Sequence, residues 1–267
     1  MKQIVCLKVI PKLEQLKFDE QKKTIVREGV ENEINDADKN ALEAALKLKD
    51  AAGGSVVVLS MGPPSFEPFL RLAVAMGADD AVLLSDRAFA GADTYATSRV
   101  LAAGIRKLAP FDIVYCGEAS ADGSTEQVPP SVAGWLGISH LSYVSQLNVV
   151  GEKIRARREI TDGYEVVDTK PPVLVSVQLG CNSPRFPDFR RKRWADKEFK
   201  LTTLNMQDVG FVPADVGLEG SRTEVTGLSR MRSPERRREF VEGTEEEIAR
   251  RLGQIVNGAQ SGELIRR

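Results

Sequence analysis

The chain has one histidine, His140, and three cysteines, Cys6, Cys116 and Cys181, with no CxxC pair among them. A zinc site needs closely spaced Cys and His ligands and a disulfide framework needs paired cysteines, so the sequence reads as metal-free, disulfide-free and cytoplasmic. Cys116 is expected to be a small packed side chain and His140 a structural or surface residue. An excess of charge of one sign is also missing: 37 Lys and Arg stand against 38 Asp and Glu, for a formal net charge of −1. That balance argues against a nucleic-acid binder and leaves only local clusters of charge to matter. No apolar run approaches the roughly 20 residues a bilayer requires, and the opening MKQIVCLKVI alternates as a strand rather than as a leader. There is no GxGxxG or Walker pattern, no internal repeat and no low-complexity tract.

What the chain does have is an alternation of short β-branched runs with helical stretches, over a length of 267 residues that suits one large α/β domain with or without an appendage. Residues 3–10 form a first strand stopped by Pro11. LKF and TIV flank a turn from Asp19 to Lys23, which suits a hairpin. Asn35 or Asp36 then caps a helix with Ala41, Leu42, Ala45 and Leu46 on one face. SVVVLS is so uniformly apolar that it predicts a strand covered on both faces. A helix burying Phe69, Leu70, Ala73 and Val74 follows, then a strand over 81–85, a loop over 86–93 and a helix from Thr94. Strands separated by helices of this length predict a parallel, doubly wound sheet with right-handed crossovers. Ligands on such sheets sit beyond the carboxyl ends of the strands, so Cys6-Leu7-Lys8, Ser60-Met61-Gly62, Ser85-Asp86-Arg87 and Gly117-Glu118-Ala119 are expected to converge on one crevice.

The stretch FDIVYCGEASADGSTEQVPPSVAGWL, residues 111–136, organises the rest. A buried strand, Ile113 to Tyr115, runs into a loop of small and polar residues and then into a helix with Pro129 and Pro130 in its first turn. Such a junction is either an ordinary βα turn or an anion cradle in which main-chain N–H groups point at a ligand. In the second reading Gly117 and Gly123 let the main chain approach the ligand, and Ser124 and Thr125 donate to phosphate. Asp122 binds ribose hydroxyls or orders the turn. After His140 four strand-like runs without intervening helices predict an antiparallel extension of the sheet. From Pro184 the core signals thin out, and a last helix opens at Thr244 with Glu247 three residues on, a capping box. The chain thus divides into an α/β domain over 1–183 and a C-terminal arm over 184–267 that lies across a partner.

These residues carry a resemblance to the β subunit of electron transfer flavoproteins. It includes NDADKNALEAA (35–45), Met61-Gly62-Pro63, AMGAD (75–79), the Asp122 loop, Arg158-Glu159 with Asp162-Gly163, and Asn182-Ser183-Pro184-Arg185. The resemblance implies an adenine-nucleotide α-hydrolase-like sheet in a heterodimer with an α subunit that carries FAD. It implies electron transfer between an acyl-CoA-type dehydrogenase and an acceptor, a quinone reductase or a ferredoxin or flavodoxin. In the ordinary branch the β site holds AMP; in the electron-bifurcating branch it holds a second FAD that takes hydride from NADH. No side chain is required as a general acid or base.

Carried over by position, the nucleotide contacts fall on Cys6, on Asn35, Asp36, Ala37 and Asp38, on Met61, and on the run Gly117, Glu118, Ala119, Ser120, Ala121, Asp122, Gly123, Ser124, Thr125, Glu126, Gln127 and Val128. Thr94 and Thr97, in the first turn of another helix, are the candidates for NADH phosphate contacts. Asp122-Gly123, Thr125, Gln127-Val128, Pro130, residues 84–94 and GLEGSRT (217–223) resemble the bifurcating pattern. Glu118-Ala119-Ser120, Ser124 and Pro129 depart from it, where the family has Arg-Gln-Ala, an acid and glycine. The reading favours FAD over AMP. Phe189, flanked by Arg190, Arg191 and Trp194, stands where the family places its apolar docking anchor for dehydrogenases. A different class, a universal-stress-like module that binds ATP without redox chemistry, remains the alternative.

Overall fold

The computed structural model describes residues 1–15, 17–19, 24–26, 29–227 and 240–260, with backbone alone for 17–19, 24–26 and 259–260. Strand β1 (Lys2–Cys6) runs through the middle of the sheet, and β2 (Val9–Pro11) leads away from it. β3 (Lys17–Asp19) and β4 (Thr24–Val26) pair as the expected hairpin, whose turn residues 20–23 lie outside the described residues. β5 (Asn32–Ile34) returns antiparallel to β2. Helix α1 (Asp36–Ala52) leads to β6 (Ser55–Met61), α2 (Glu67–Met76) to β7 (Asp80–Leu84), α3 (Thr94–Lys107) to β8 (Ile113–Gly117) and α4 (Val128–Leu136) to β9 (Ser139–Val150). β10 (Lys153–Ile160), β11 (Gly163–Thr169), β12 (Val173–Val177), α5 (Phe189–Lys197) and β13 (Thr202–Leu204) follow. The nine-stranded sheet has the order β11-β10-β9-β12-β8-β1-β6-β7-β13.

Alternation along each central strand feeds two cores. Val5, Val58, Val175 and Tyr115 face one side, where Leu42 and Leu46 of α1 and Leu70 and Val74 of α2 cover them. Ile4, Leu59, Val114 and Leu174 face the other, under Val100 and Leu101 of α3 and Val132 of α4. Burying aliphatic side chains on both faces, at about 1.5–3 kcal/mol each, holds this three-layer arrangement together.

Two expectations are corrected. Of the four strand-like runs after His140, β9, β10 and β11 form the expected antiparallel extension, β10 pairing antiparallel with both of its neighbours, and the fourth does not join it. β12 runs parallel to both β8 and β9 and lies between them, with Val173 opposite Ile113 on one side and Ser139 on the other. All five of its residues, VLVSV, are buried, as a strand covered on both faces requires. The segment after Pro184 is the second correction, because it does not stand apart from the core. Ala195 and Phe199 are buried in one core and Val209 and Val216 in the other. β13 pairs with β7, and Arg185 holds Glu43 at 2.9 Å and Asp50 at 2.8 Å on α1. The first compact unit accordingly spans Met1–Gly227, and a second begins at Leu228. In that second unit α6 (Glu245–Gln260) opens on the expected capping box, the Thr244 N–H donating to Glu247 Oε2 at 2.9 Å.

Candidate nucleotide site

The carboxyl ends of β1 and β8 meet the start of α1, and one buried carboxylate ties them. Asp38, 5% exposed, accepts the main-chain N–H of Gly117 on Oδ1 and that of Lys8 on Oδ2, both at 2.8 Å. Burial pushes its carboxyl up to about 6, against the pull of those two N–H donors toward the ionised form. Gly117 is a glycine because of this helix: a Cβ there would lie 2.6 Å from Asp38 Oδ1 and 2.7 Å from Ala37 Cβ. The missing side chain lets the strand pack closely on the helix. Asn35 occupies the N-cap position of α1 but makes no cap with its side chain. Its carboxamide turns to the loop instead, donating to Ala119 O at 2.9 Å and accepting from Ala121 N at 3.1 Å. Asp36 faces outward and pairs with Lys39 at 2.8 Å.

The loop is held at every acidic residue. Glu118 accepts the Leu179 N–H at 3.0 Å, Asp122 pairs with Lys8 Nζ at 2.6 Å, and Glu126 accepts from the Tyr143 hydroxyl. Lys8 Nζ also donates to Ser120 Oγ at 3.1 Å. Among the described residues three non-glycine residues have left-handed backbone, Ser124, Glu126 and Tyr143, two of them in the loop and the third its tether. Strain of this kind, on the order of 1–3 kcal/mol per residue, gathers at functional loops. Ser124 is drawn into the turn, its N–H donating to Ser120 O at 2.7 Å and its hydroxyl to the same oxygen at 3.3 Å. By contrast the main-chain N–H groups of Thr125, Glu126, Gln127 and Val128 find no acceptor among the described residues. Pro129 and Pro130 carry no N–H, so the donors of this helix start come from the loop that precedes them. Cys6 and Cys116 are buried at adjacent strand ends, and Met61 packs half-buried on the same core. The hydrogen bond with Cys6, and then burial, push the Cys116 thiol well up, so it stays protonated and inert.

Thr94 donates through its hydroxyl to Gln127 Oε1 at 2.8 Å and so ties the loop to α3, while Thr97 lies a turn further along that helix, half-buried. The end of α3 is already filled by a carboxylate. Asp93 accepts Ala96 N on Oδ1 at 2.9 Å, and Arg222 N and Thr223 N on Oδ2 at 2.8 Å each. Burial pushes this carboxyl up, but the N–H groups and the Thr223 hydroxyl outweigh it and hold it below the usual range. Thr94 and Thr97 therefore flank a helix end whose positive pole faces the chain's own anion.

Of the expected docking residues, Phe189 projects, 82% exposed, beside Phe186 at 94%. Arg190, Arg191 and Trp194 line a surface depression of ≈ 400 Å³ with Asp79. Arg191 is committed to structure, donating to Val74 O at 3.2 Å and Ala78 O at 2.7 Å at the end of α2. His140 shares a hydrogen bond of 3.2 Å with Ser176, and burial, followed by the charge of Arg158, holds its imidazole below the ordinary value. No group of metal-ligating side chains gathers among the described residues, and no helix there is long and apolar enough to cross a membrane. Sequence reasoning missed Tyr143 and Phe186 as site residues, and it placed Lys8 at the crevice with Cys6 and Leu7 without giving it a contact. Only Lys8 carried a signal, as the charged residue next after an apolar strand.

A mostly parallel, doubly wound sheet whose strand ends, buried carboxylate and strained loop meet on one rim defines an α/β protein of the kind that seats ligands beyond its strands. A match to the electron transfer flavoprotein domain covers residues 22–204. The chain is 48% identical to the electron transfer flavoprotein subunit beta of Clostridium acetobutylicum, over 83% of this chain and 85% of the relative. It is 41% identical to the same subunit of Thermoanaerobacterium thermosaccharolyticum over 95% and 97%, and 41% identical to the caffeyl-CoA reductase-Etf complex subunit CarD of Acetobacterium woodii over 84% and 86%. The chain belongs to the electron transfer flavoprotein β-subunit family, and its work is electron transfer.

Proposed function

We propose that the chain seats FAD at the rim formed by Cys6, Asn35–Asp38, Met61 and residues 117–128. It works in the cytoplasm, paired with an α subunit that carries a second FAD. Electrons pass between an acyl-CoA-type dehydrogenase and a quinone reductase, ferredoxin or flavodoxin, with NADH as donor in a bifurcating arrangement. The observation that carries this is the donor set of the loop: four consecutive N–H groups, Thr125 to Val128, left without acceptors among the described residues, in a turn where Ser124 and Glu126 hold left-handed backbone. Such a row suits the oxygens of a nucleotide phosphate, and the apolar Cys6 and Met61 beside it suit a flat base. The relative from Acetobacterium woodii, part of a caffeyl-CoA reductase complex, supports a partner that acts on acyl-CoA substrates.

When bound, the flavin supplies the redox chemistry. The protein's part is positional. Asn35 and Asp38 fix the loop against α1, Gln127 and Thr94 tie it to α3, and Gly117 lets β8 pack tightly on α1. The three carboxylates of the loop favour a second reading in which the site holds AMP, whose single phosphate meets less repulsion than a pyrophosphate. Extracting bound nucleotides from the purified heterodimer and counting flavins separates them. Two flavins per heterodimer, with reduction by NADH, support the first reading; one flavin with AMP replaces it by the second; ATP without flavin overturns both.

A further inference from the structure

None of the nucleotide contacts expected from the sequence is a cation, yet one ammonium reaches the loop. Among the described residues Lys8 is the one cationic side chain hydrogen-bonded to residues 117–128. Its main chain is fixed on both sides, the N–H donating to the buried Asp38 at 2.8 Å and the carbonyl accepting the Asn35 N–H at 3.0 Å. From that fixed point Nζ reaches Asp122 at 2.6 Å and Ser120 Oγ at 3.1 Å, two of the three hydrogen bonds an ammonium can donate. The side chain remains about half exposed. A Cβ on Gly123 would come within 4.0 Å of the same nitrogen, so the ammonium sits directly against the turn.

Charge explains why the third donor matters. Glu118 and Glu126 are tied to neutral donors, so their negative charge is not cancelled within the loop, and Asp122 is cancelled only by Lys8. A phosphate approaching the unpaired N–H groups of Thr125 to Val128 meets an acidic rim to which, among the described residues, Lys8 is the one cationic side chain hydrogen-bonded. As a surface ion pair Lys8–Asp122 would contribute little. As a cation beside a row of unfilled main-chain donors it completes an anion site.

We propose that Lys8 is the phosphate-recognising cation of the site: its ammonium holds the loop through Asp122 and Ser120, gives its third N–H to the nucleotide phosphate, and so selects nucleotides over nucleosides. This rests on the nucleotide reading above.

The test is calorimetric titration of the full chain, with its co-purifying subunit and stripped of nucleotide, using AMP, FAD and adenosine as probes. Replacing Lys8 by Met keeps the main-chain N–H that Asp38 holds. The Lys8→Met variant is expected to lose roughly 10- to 100-fold in affinity for AMP and to change by less than about threefold for adenosine. Lys8→Arg restores most of the AMP affinity, and Lys8→Gln, which keeps a donor without charge, behaves as Lys8→Met and substitutes for it should that variant fail to fold. AMP binding unchanged in the uncharged variants overturns the proposal, as does an equal loss for AMP and adenosine, which would mean that Lys8 only shapes the loop. Wild-type chain that binds neither AMP nor FAD would instead overturn the nucleotide reading itself.

Discussion

A buried carboxylate and a half-buried imidazole act in opposite directions on this protein's response to acid. Asp38 is held at about 6, above the ordinary 3.8, so between those values the folded chain binds a proton that the unfolded chain does not. Stability from this group therefore rises as pH falls, and its ionised form costs on the order of 3 kcal/mol at neutral pH. His140 is held below the ordinary 6.5, so the unfolded chain takes its proton first and stability falls as pH drops through that value. Measured by denaturant titration between pH 7 and 4.5, Asp38→Asn should lose stability with acid more steeply than wild type and His140→Gln less steeply. Parallel curves for all three would show that neither group titrates as the packing implies. At this scale the sequence was partly legible. The junction Gly117 and the α1 start at Asn35 to Asp38 stand out as residue types, but a glycine chosen for a helix and a glycine chosen for a ligand look the same in a sequence. Only the packing of Asp38 and Ala37, 2.6 and 2.7 Å from where a Cβ would stand, separates them.

Among the elements, the central βα units follow from local patterns and β12 does not. SVVVLS, flanked by a helix stop and a proline turn, reads as a covered strand without further help. VLVSV has the same character, but it follows three alternating strands, and proximity in sequence suggests that it joins them. Its place between β8 and β9 depends on pairings with Ile113 and Ser139 rather than with β11, the strand that precedes it in the chain. A central position carries an energetic consequence. Leu174 is fully buried under α4, so Leu174→Ala should cost about 2–5 kcal/mol, read as a lower denaturation midpoint at unchanged slope. An edge strand would lose under about 1 kcal/mol at the same substitution, and such a value would contradict the assigned order. The segment 217–223 shows the same contrast: GLEGSRT carries no periodicity, and its conformation comes from Asp93 accepting the N–H groups of Arg222 and Thr223 at 2.8 Å.

For the whole molecule, the surface that faces partners is set by what the fold leaves uncovered. Phe186 and Phe189 bury almost nothing, while the neighbouring Arg191 is spent on the carbonyls of α2. Two aromatic rings exposed beside a depression lined by Arg190 and Trp194 have the composition of an interface hot spot. Phe189→Ala should lower dehydrogenase-coupled electron transfer by roughly 10- to 30-fold, and Phe186→Ala by a smaller factor, with flavin content and melting temperature unchanged. Coupling that survives both substitutions would place the docking surface elsewhere. The sequence by itself determined the alternation of strands and helices, the faces that α1 and α2 bury and the capping box of α6, because each depends on residues within a turn or two of one another. The tertiary structure alone decided where β12 enters the sheet, that residues 184–227 join the first unit, and that Lys8 meets Asp122 across 114 positions of chain. Those outcomes rest on surfaces brought together only once the sheet has closed its ranks, and no local pattern of side chains encodes which distant surface will be left to receive them.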